Sequence, residues 1–485
     1  MVKVAIIGGG IAGLTAGIYL QKAGFETEIY EKNQNAGGLC TGWYKKEVLI
    51  DNCIHWITGT KPKSDLNQLW LEIGLIKQAD DFETADYLFL SKFKNGQITF
   101  WKDWQRTQKE MLTLFPEDSE SILQFFSNVL LLTKLQIPAK KPFQFYHLFD
   151  FLCLIPTLAI QKKIQSLYGD QTIADFANHF KNSYLRHAFL DHFPSVYPAY
   201  MLLSTYASFI SGNAAIAPCS SLELSNRVVD KYLSLGGKIH YRKKLKHLTI
   251  VDENIASISF EDNYQMTADK YILAYDINQI YQKLLSPAYF SKKINDKLSK
   301  LTNTTHTSSF QVAYQLDSKV DFLTNATFPI RELSIATKSI SRISVKIKKA
   351  KNSEQTIVYV SIFQDQDDYQ FWHSLSKEDY KRLKLAYANQ IKQLIFADYT
   401  HLINELSILD IWTPLTYYRY CNVVDGSFMG AIPKERTNSL VLPNKLSKIK
   451  NLWFANQWLM SPGGLPIAGI VGKFAAYEIS KEKLR

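Results

Sequence analysis

Residues 2–32, VKVAIIGGGIAGLTAGIYLQKAGFETEIYEK, constrain the fold more than any other stretch of the chain. A short β-rich apolar run enters a glycine turn, helical periodicity follows as far as Leu20, Gly24 stops it, and a second strand ends at Glu31. This is a βαβ unit, which places two parallel strands beside one another with a helix across them. Gly8 permits the tight turn, Gly10 lets a pyrophosphate approach the backbone, and Gly13 admits close packing of helix on sheet. Ile11 and Ala12 open the helix, whose N-terminal N–H groups then face the phosphates. Glu31, followed by Lys32, stands where a carboxylate accepts ribose hydroxyls, so strand, helix and acid together read as a dinucleotide site.

At 485 residues the chain is too long for one ordinary core, and two domains are expected. "SLELSNRVVDKYLSLGG" is an amphipathic helix closed by glycines, and "KIHY" and "LTIVDENIASISFEDNYQMTADKYILAYD" alternate as short strands with turns at Asp252-Glu253 and Asp262-Asn263. These continue the first domain. Between them, residues 76–210 are helix-rich, aromatic and lysine-studded. A second insertion mixes strands such as "RISVKIK" and "QTIVYVSIF" with the helical "EDYKRLKLAYANQIKQLIF". In "RISVKIK", Ile343, Val345 and Ile347 share one face while Arg342, Ser344, Lys346 and Lys348 share the other, which reads as a one-sided strand with a solvated polar face. The expected class is α/β: a discontinuous Rossmann-type domain from residues 1–75, 211–290 and 441–485, interwoven with an α+β substrate domain from 76–210 and 291–440.

The five cysteines, Cys40, Cys53, Cys153, Cys219 and Cys421, form no CxxC pair, and an odd, scattered set reads as reduced thiols in a cytosolic protein. Cys53 and Cys421 read as small buried residues. The first residues are strand rather than leader. A net charge of +11 attracts nucleic acid, anionic membrane or acidic substrate alike, but no nucleic-acid motif accompanies the basic residues. "KLQIPAKKPFQFYHLFDFLCLIPTLAIQKKIQ" brackets an apolar-aromatic run with Lys140, Lys141, Lys162 and Lys163. His147, Asp150 and a helix-breaking Pro156 argue against a span. The run reads either as a buried helix with solvated lysine ends or as peripheral membrane contact, on the inner face of a membrane.

After Glu31, "EKNQNAGGLCTGW" adds Gly37 and Gly38. Here the sequence resembles the superfamily of phytoene desaturases, carotene isomerases and retinol saturases. The likeness continues through "IDNCIHWITGT", "YILAYD", "TPLTYYRYCNVVDGSFMG" and the terminal "NLWFANQWLMSPGGLPIAGIVGKFAA". It implies FAD as cofactor, with the GG turn wrapping its pyrophosphate and ribityl chain. It also implies that the terminal turn and helix, carrying Asn456, Pro462, Gly463, Gly464, Leu465 and Pro466, lie against the isoalloxazine. Leu39 replaces the family's usual arginine, leaving the phosphates to backbone donors. His55 and Trp56 fall in the segment that passes the ring, where His55 is either a proton donor and acceptor or a hydrogen-bonded structural histidine. Leu245 and Asp276 complete the expected cofactor set. Tyr417, Tyr418, Arg419 and Tyr420 either line a substrate channel or pack between domains.

A single dinucleotide fingerprint with no adjacent redox CxxC argues against an NAD(P)H-dependent disulfide reductase. HExxH, clustered Cys/His and GxSxG are all absent from the sequence. The resemblance implies an FAD-dependent oxidoreductase that desaturates, saturates or isomerises a hydrophobic unsaturated lipid of carotenoid or isoprenoid type. An amine or amino-acid oxidase is the alternative enzyme, and a prenyl-lipid carrier of related fold the non-enzymatic one.

Overall fold

The computed structural model describes all residues except 52, 54–55, 81, 83–84, 302–303, 317–324, 350–354, 397–402, 434–440 and 484–485. The opening βαβ unit forms as β1 (Lys3–Ile7), α1 (Ile11–Lys22) and β2 (Glu26–Tyr30), with β1 and β2 parallel and Ile7 opposite Tyr30. Three more parallel strands extend the sheet to five: Leu452–Phe454, Lys270–Leu273, β1, β2, Lys238–His240 in spatial order. The sheet therefore joins strands more than 400 residues apart in sequence, and its central strand β1 is apolar on both faces, as burial there requires. Val4, Ala5, Ile6 and Ile29 are fully buried.

The last helix, Gly464–Lys483, packs on α1. The two approach so closely that a Cβ on Gly472 would fall 2.3 Å from the Ala12 carbonyl oxygen. The two ends of the described chain thus meet at the start of α1.

A second, seven-stranded sheet runs in the order Ser407–Trp412, Ser308–Leu316, Thr356–Gln364, Lys338–Lys349, Ala326–Ile335, Tyr87–Phe93, Gly96–Trp101. Its outer face carries Phe310, Val312, Ile343, Val345, Val358 and Val360 into a core with Trp372 and Ile391. The hairpin of residues 87–101, in a region expected to be helical, was signalled by Asn95-Gly96 between alternating strands. A helical core around Phe125, Phe176 and Tyr206 caps one end of this sheet.

The lysine-bracketed run forms one helix, Leu148–Tyr168, which continues through Pro156 instead of breaking there. Pro156 lies on the exposed side of the helix, so water can pair the carbonyl it leaves without a donor. No helix among the described residues is long and apolar enough to cross a membrane.

Candidate functional site

The turn between β1 and α1 is built as its glycines require. Gly8 adopts φ +113°, a left-handed region that side chains avoid, and its N–H donates to the Tyr30 carbonyl at 2.9 Å. A Cβ on Gly13 would lie 2.1 Å from the Gly8 carbonyl oxygen and 3.1 Å from Ala274 Cβ, so this glycine sets how closely helix and sheet approach. Gly10 precedes α1 and has no capping side chain. The Gly37 N–H donates to the Gly9 carbonyl at 2.8 Å, bringing the GG turn alongside the first glycine turn.

Glu31, only 6% exposed, holds this junction rigid. Its Oε2 accepts the Gly9 N–H and its Oε1 the Asn33 N–H, each at 2.8 Å. Each carboxylate oxygen can accept a second donor, which leaves Glu31 acceptor capacity for ribose hydroxyls. The Lys32 ammonium donates to the Arg419 carbonyl at 2.9 Å, and desolvation pushes its pKa down.

All the described cofactor candidates except Gly13 and Pro462 line one cavity of about 1680 Å³. Gly13 lies behind the turn, and Pro462 supports it from outside by accepting the Gly430 N–H on its carbonyl at 2.8 Å. His55 lies outside the described residues. Asp276 reaches the cavity wall, but its carboxylate is spent on the protein: Oδ1 accepts the Asn278 N–H at 2.9 Å and Oδ2 the Val424 N–H at 2.7 Å. Burial raises its pKa. Its role here is to tie the strand end after Leu273 to the 423–430 turn.

Three observations test whether a flavin dinucleotide fits. A Cβ on Gly10 would meet only Gly38 Cα, at 3.9 Å, and one on Gly464 only Pro466 Cδ, at 3.8 Å, so both backbones open onto the cavity. Asn456 is 2% exposed, yet neither polar atom of its side chain has a partner within the protein. Trp458 Nε1, also at the cavity wall, lacks one too. Buried polar groups without partners are costly, and a polar ligand at this wall removes that cost. The residues therefore fit the cofactor: glycine cradles at both chain ends, with unsatisfied donors and an acceptor between them. The Gly464 N–H, at the start of the last helix, is engaged by Gln457 Oε1 at 2.6 Å, which fixes the terminal turn.

Beyond the glycines the same cavity forms a chamber with two unlike walls. One is aromatic and apolar: Phe89, His192, Phe193, Met201 and Phe209. His192 stacks on Phe89 at 4.4 Å between ring centroids and on Trp56 at 5.4 Å. Its Nε2 is buried with no hydrogen-bond partner, and desolvation lowers its pKa to about 3, so the imidazole is neutral.

The other wall is the inner face of the seven-stranded sheet. Gln311, Ser361, Ser344 and Thr327 lie directly opposite one another across four neighbouring strands, forming a polar row. Lys346 and Lys348 follow Ser344 on the same face. The polar side of "RISVKIK" therefore faces the chamber, not bulk solvent as expected; alternation marks which residues avoid the apolar core without saying what the other face meets. Gln311 Nε2 donates to Ser309 Oγ at 2.8 Å and to Tyr417 Oη at 3.0 Å, and Trp412 Nε1 donates to the same Oη at 3.0 Å. Of the four residues Tyr417 to Tyr420, Tyr417 lines the chamber. Cys421, pushed up to about 12 by burial, remains a thiol.

The chain matches the family described as "Flavin containing amine oxidoreductase" over residues 11–422. A 4,4'-diaponeurosporene oxygenase of Staphylococcus haemolyticus is 20% identical over 99% of this chain and 97% of its own length. A 4,4'-diapolycopen-4-al dehydrogenase of Metabacillus indicus is 27% identical, but the match spans only 26% of each chain. Among solved structures, putrescine oxidase bound to putrescine superimposes with a TM-score of 0.60 at 13% identity, covering 100% of this chain and 99% of that one. At that identity the likeness concerns the fold. The chain belongs to the flavin-containing amine oxidoreductase family and is an FAD-dependent oxidoreductase.

Proposed function

We propose that this enzyme exchanges a hydride between FAD and a hydrophobic, conjugated lipid of carotenoid or isoprenoid type. The observation that carries the reading is the continuity of the cavity: the glycine turns and the aromatic residues Phe89, Phe193 and Phe209 line one and the same cavity. Its size exceeds the roughly 300–1,000 Å³ that holds one drug-sized ligand, leaving room for cofactor and substrate together. The relatives named for polyene substrates, diaponeurosporene and diapolycopenal, support the same class.

Bound FAD supplies a two-electron acceptor or donor. In this reading the Gly8–Gly10 turn and the α1 N-terminus hold the pyrophosphate, and Glu31 takes the ribose. Asn456, Trp458 and the Gly463–Pro466 turn flank the ring. Phe89, His192 and Phe193 line the chamber and exclude water from the substrate's π system. Neutral His192 can accept or donate one hydrogen bond at Nε2, depending on tautomer, without placing a cation in the chamber.

The helix Leu148–Tyr168 supports delivery from a bilayer surface. Leu148 and Phe149 are 77% and 75% exposed, with Leu152, Ile155 and Leu158 also exposed on the same helix. Each such side chain forgoes roughly 1.5–3 kcal/mol of burial. Lys140 and Lys141 pair with Asp65 and Asp150 at one end of the patch, and Lys162 and Lys163 are exposed along the helix, where an anionic membrane suits both them and the apolar residues.

Incubation of the purified holoprotein with a series of polyene lipids, followed by mass analysis, tests the reading. A product that has gained or lost a hydrogen pair is expected. Turnover of soluble amines with peroxide release, and none of lipids, would instead establish the amine oxidase alternative. A lipid carrier that dispenses with flavin has no need of backbone cradles open at both Gly10 and Gly464.

A further inference from the structure

A pure hydrocarbon makes no use of the polar groups that line the chamber. On the sheet wall the row Gln311, Ser361, Ser344 and Thr327 continues to Ser91, which stands opposite Thr327 on the Tyr87–Phe93 strand. At this end the row meets the aromatic wall. The Ser91 hydroxyl donates to Asp191 Oδ2 at 2.6 Å, and the next residue, His192, stacks on Phe89, two residues before Ser91 on the same strand. His192 and Thr327 both line the cavity. The charges at this corner are matched within the protein: Arg342 pairs with Asp191 and also donates to Ser91 Oγ at 3.0 Å. His192 itself is surrounded by the rings of Trp56, Phe89 and Phe193, and its Nε2 is the one polar atom there that is buried without a hydrogen-bond partner among the described residues. Leaving such a nitrogen unpaired costs free energy that a ligand oxygen can return.

Resting on the lipid reading above, we propose that His192 is a specificity-determining residue that hydrogen-bonds a neutral oxygen function, hydroxyl or carbonyl, at one end of the substrate, so that the chamber selects an oxygenated polyene over the bare hydrocarbon. A hydroxyl both donates and accepts, so it can pair with Nε2 in either tautomer, and a carbonyl can accept from the tautomer that carries the proton there. The Thr327 hydroxyl, at the same corner, can take the oxygen's second bond. Desolvation keeps the imidazole neutral, so it offers no charge-assisted bond to a carboxylate, and the oxygen it suits is an uncharged one. In a site removed from water such a bond is stronger than at the surface.

The test uses the full-length, FAD-loaded protein titrated with cis-parinaryl alcohol, a conjugated tetraene alcohol that fluoresces when removed from water, and with the hydrocarbon of the same tetraene chain. Each affinity is referred to the probe's own partition between water and hexane, a liquid that cannot hydrogen-bond, so that the difference in hydration cancels. On that scale the alcohol is expected to bind at least about tenfold more tightly than the hydrocarbon. His192→Phe, which keeps a ring against Phe89, should cost the alcohol about fivefold or more relative to the hydrocarbon, whereas a purely structural histidine would weaken both probes alike. His192→Gln, which keeps a hydrogen-bonding group, should retain more of the preference. Equal binding of the two probes to the unaltered protein on the hexane scale overturns the assignment, whether or not any variant folds, and leaves the lipid chamber standing. A preference undiminished in His192→Phe also overturns it. If neither probe binds, the assignment and the lipid reading fall together.

Discussion

Asn456 and His192 are the residues at which the account is most exposed to test. Asn456 presents two unpartnered polar atoms to the cavity, a cost the protein carries unless a ligand meets them. Asn456→Leu, close in volume and apolar, is expected to leave the FAD-free protein as stable or more so, yet weaken FAD binding by about tenfold. Thermal melts with and without added FAD, beside a flavin fluorescence titration, separate the two effects. His192 has a folded-state pKa of about 3, below the roughly 6.5 of an unfolded chain. Between those values the unfolded state binds the extra proton, so stability is complete above about pH 6.5 and falls as pH drops toward 3, by at most about 1.4 kcal/mol per pH unit. His192→Phe should keep the stack between Phe89 and Trp56 while flattening that decline, as urea denaturation at neutral and mildly acidic pH would show. Neither residue was legible in its chemistry from the sequence. Asn456 entered the expected cofactor set only through the resemblance, with nothing in the sequence to show that its side chain lacks protein partners, and His192 sits in an aromatic stretch without period or motif.

At the scale of elements, one ion pair fastens the chamber together. Arg342 donates to Asp191 from Nε at 2.7 Å and Nη2 at 2.6 Å, and reaches Ser91 Oγ at 3.0 Å, linking the Lys338–Lys349 strand to the helical cap and, across the intervening Ala326–Ile335 strand, to Tyr87–Phe93. Arg342→Met leaves the Asp191 carboxylate buried and unpaired, so a loss of about 3–5 kcal/mol in urea unfolding is expected, with much of it regained in Arg342→Met/Asp191→Leu. On the Leu148–Tyr168 helix, Phe149→Glu/Leu152→Glu should abolish sedimentation with phosphatidylglycerol-rich vesicles without changing the melting temperature, and added salt should weaken the parent's binding. Elements with strong periodicity could be read directly: the βαβ unit, the Ser221–Ser234 helix and the strand pair turning at Asp252-Glu253 all stand where the residues put them. The polar face of Lys338–Lys349 could not. A strand bordering a large polar-floored cavity has the same alternation as one bordering water, and only the tertiary arrangement distinguishes them. Pro156 misled for a related reason, since its local cost is small on a helix face that water reaches.

For the whole molecule, the parallel sheet brings the Gly8 turn, the strand end at Leu273 and the terminal turn at Gly463 to one edge, and the antiparallel sheet lays its polar face across the opening. The glycine cradle was legible because phosphate binding demands fixed spacings. The chamber was not, because its walls come from segments more than 100 residues apart with no shared motif. A central expectation follows: flavin and a conjugated lipid share one continuous cavity and exchange electrons within it. The most direct measurement is the anaerobic visible spectrum of the bound flavin on addition of a polyene lipid, recorded once from the oxidised and once from the reduced protein. The account expects the flavin band to bleach or to return in one of the two, and to stay unchanged with soluble amines. A spectrum indifferent to polyene lipids in both states, or bleached by an amine, would contradict it.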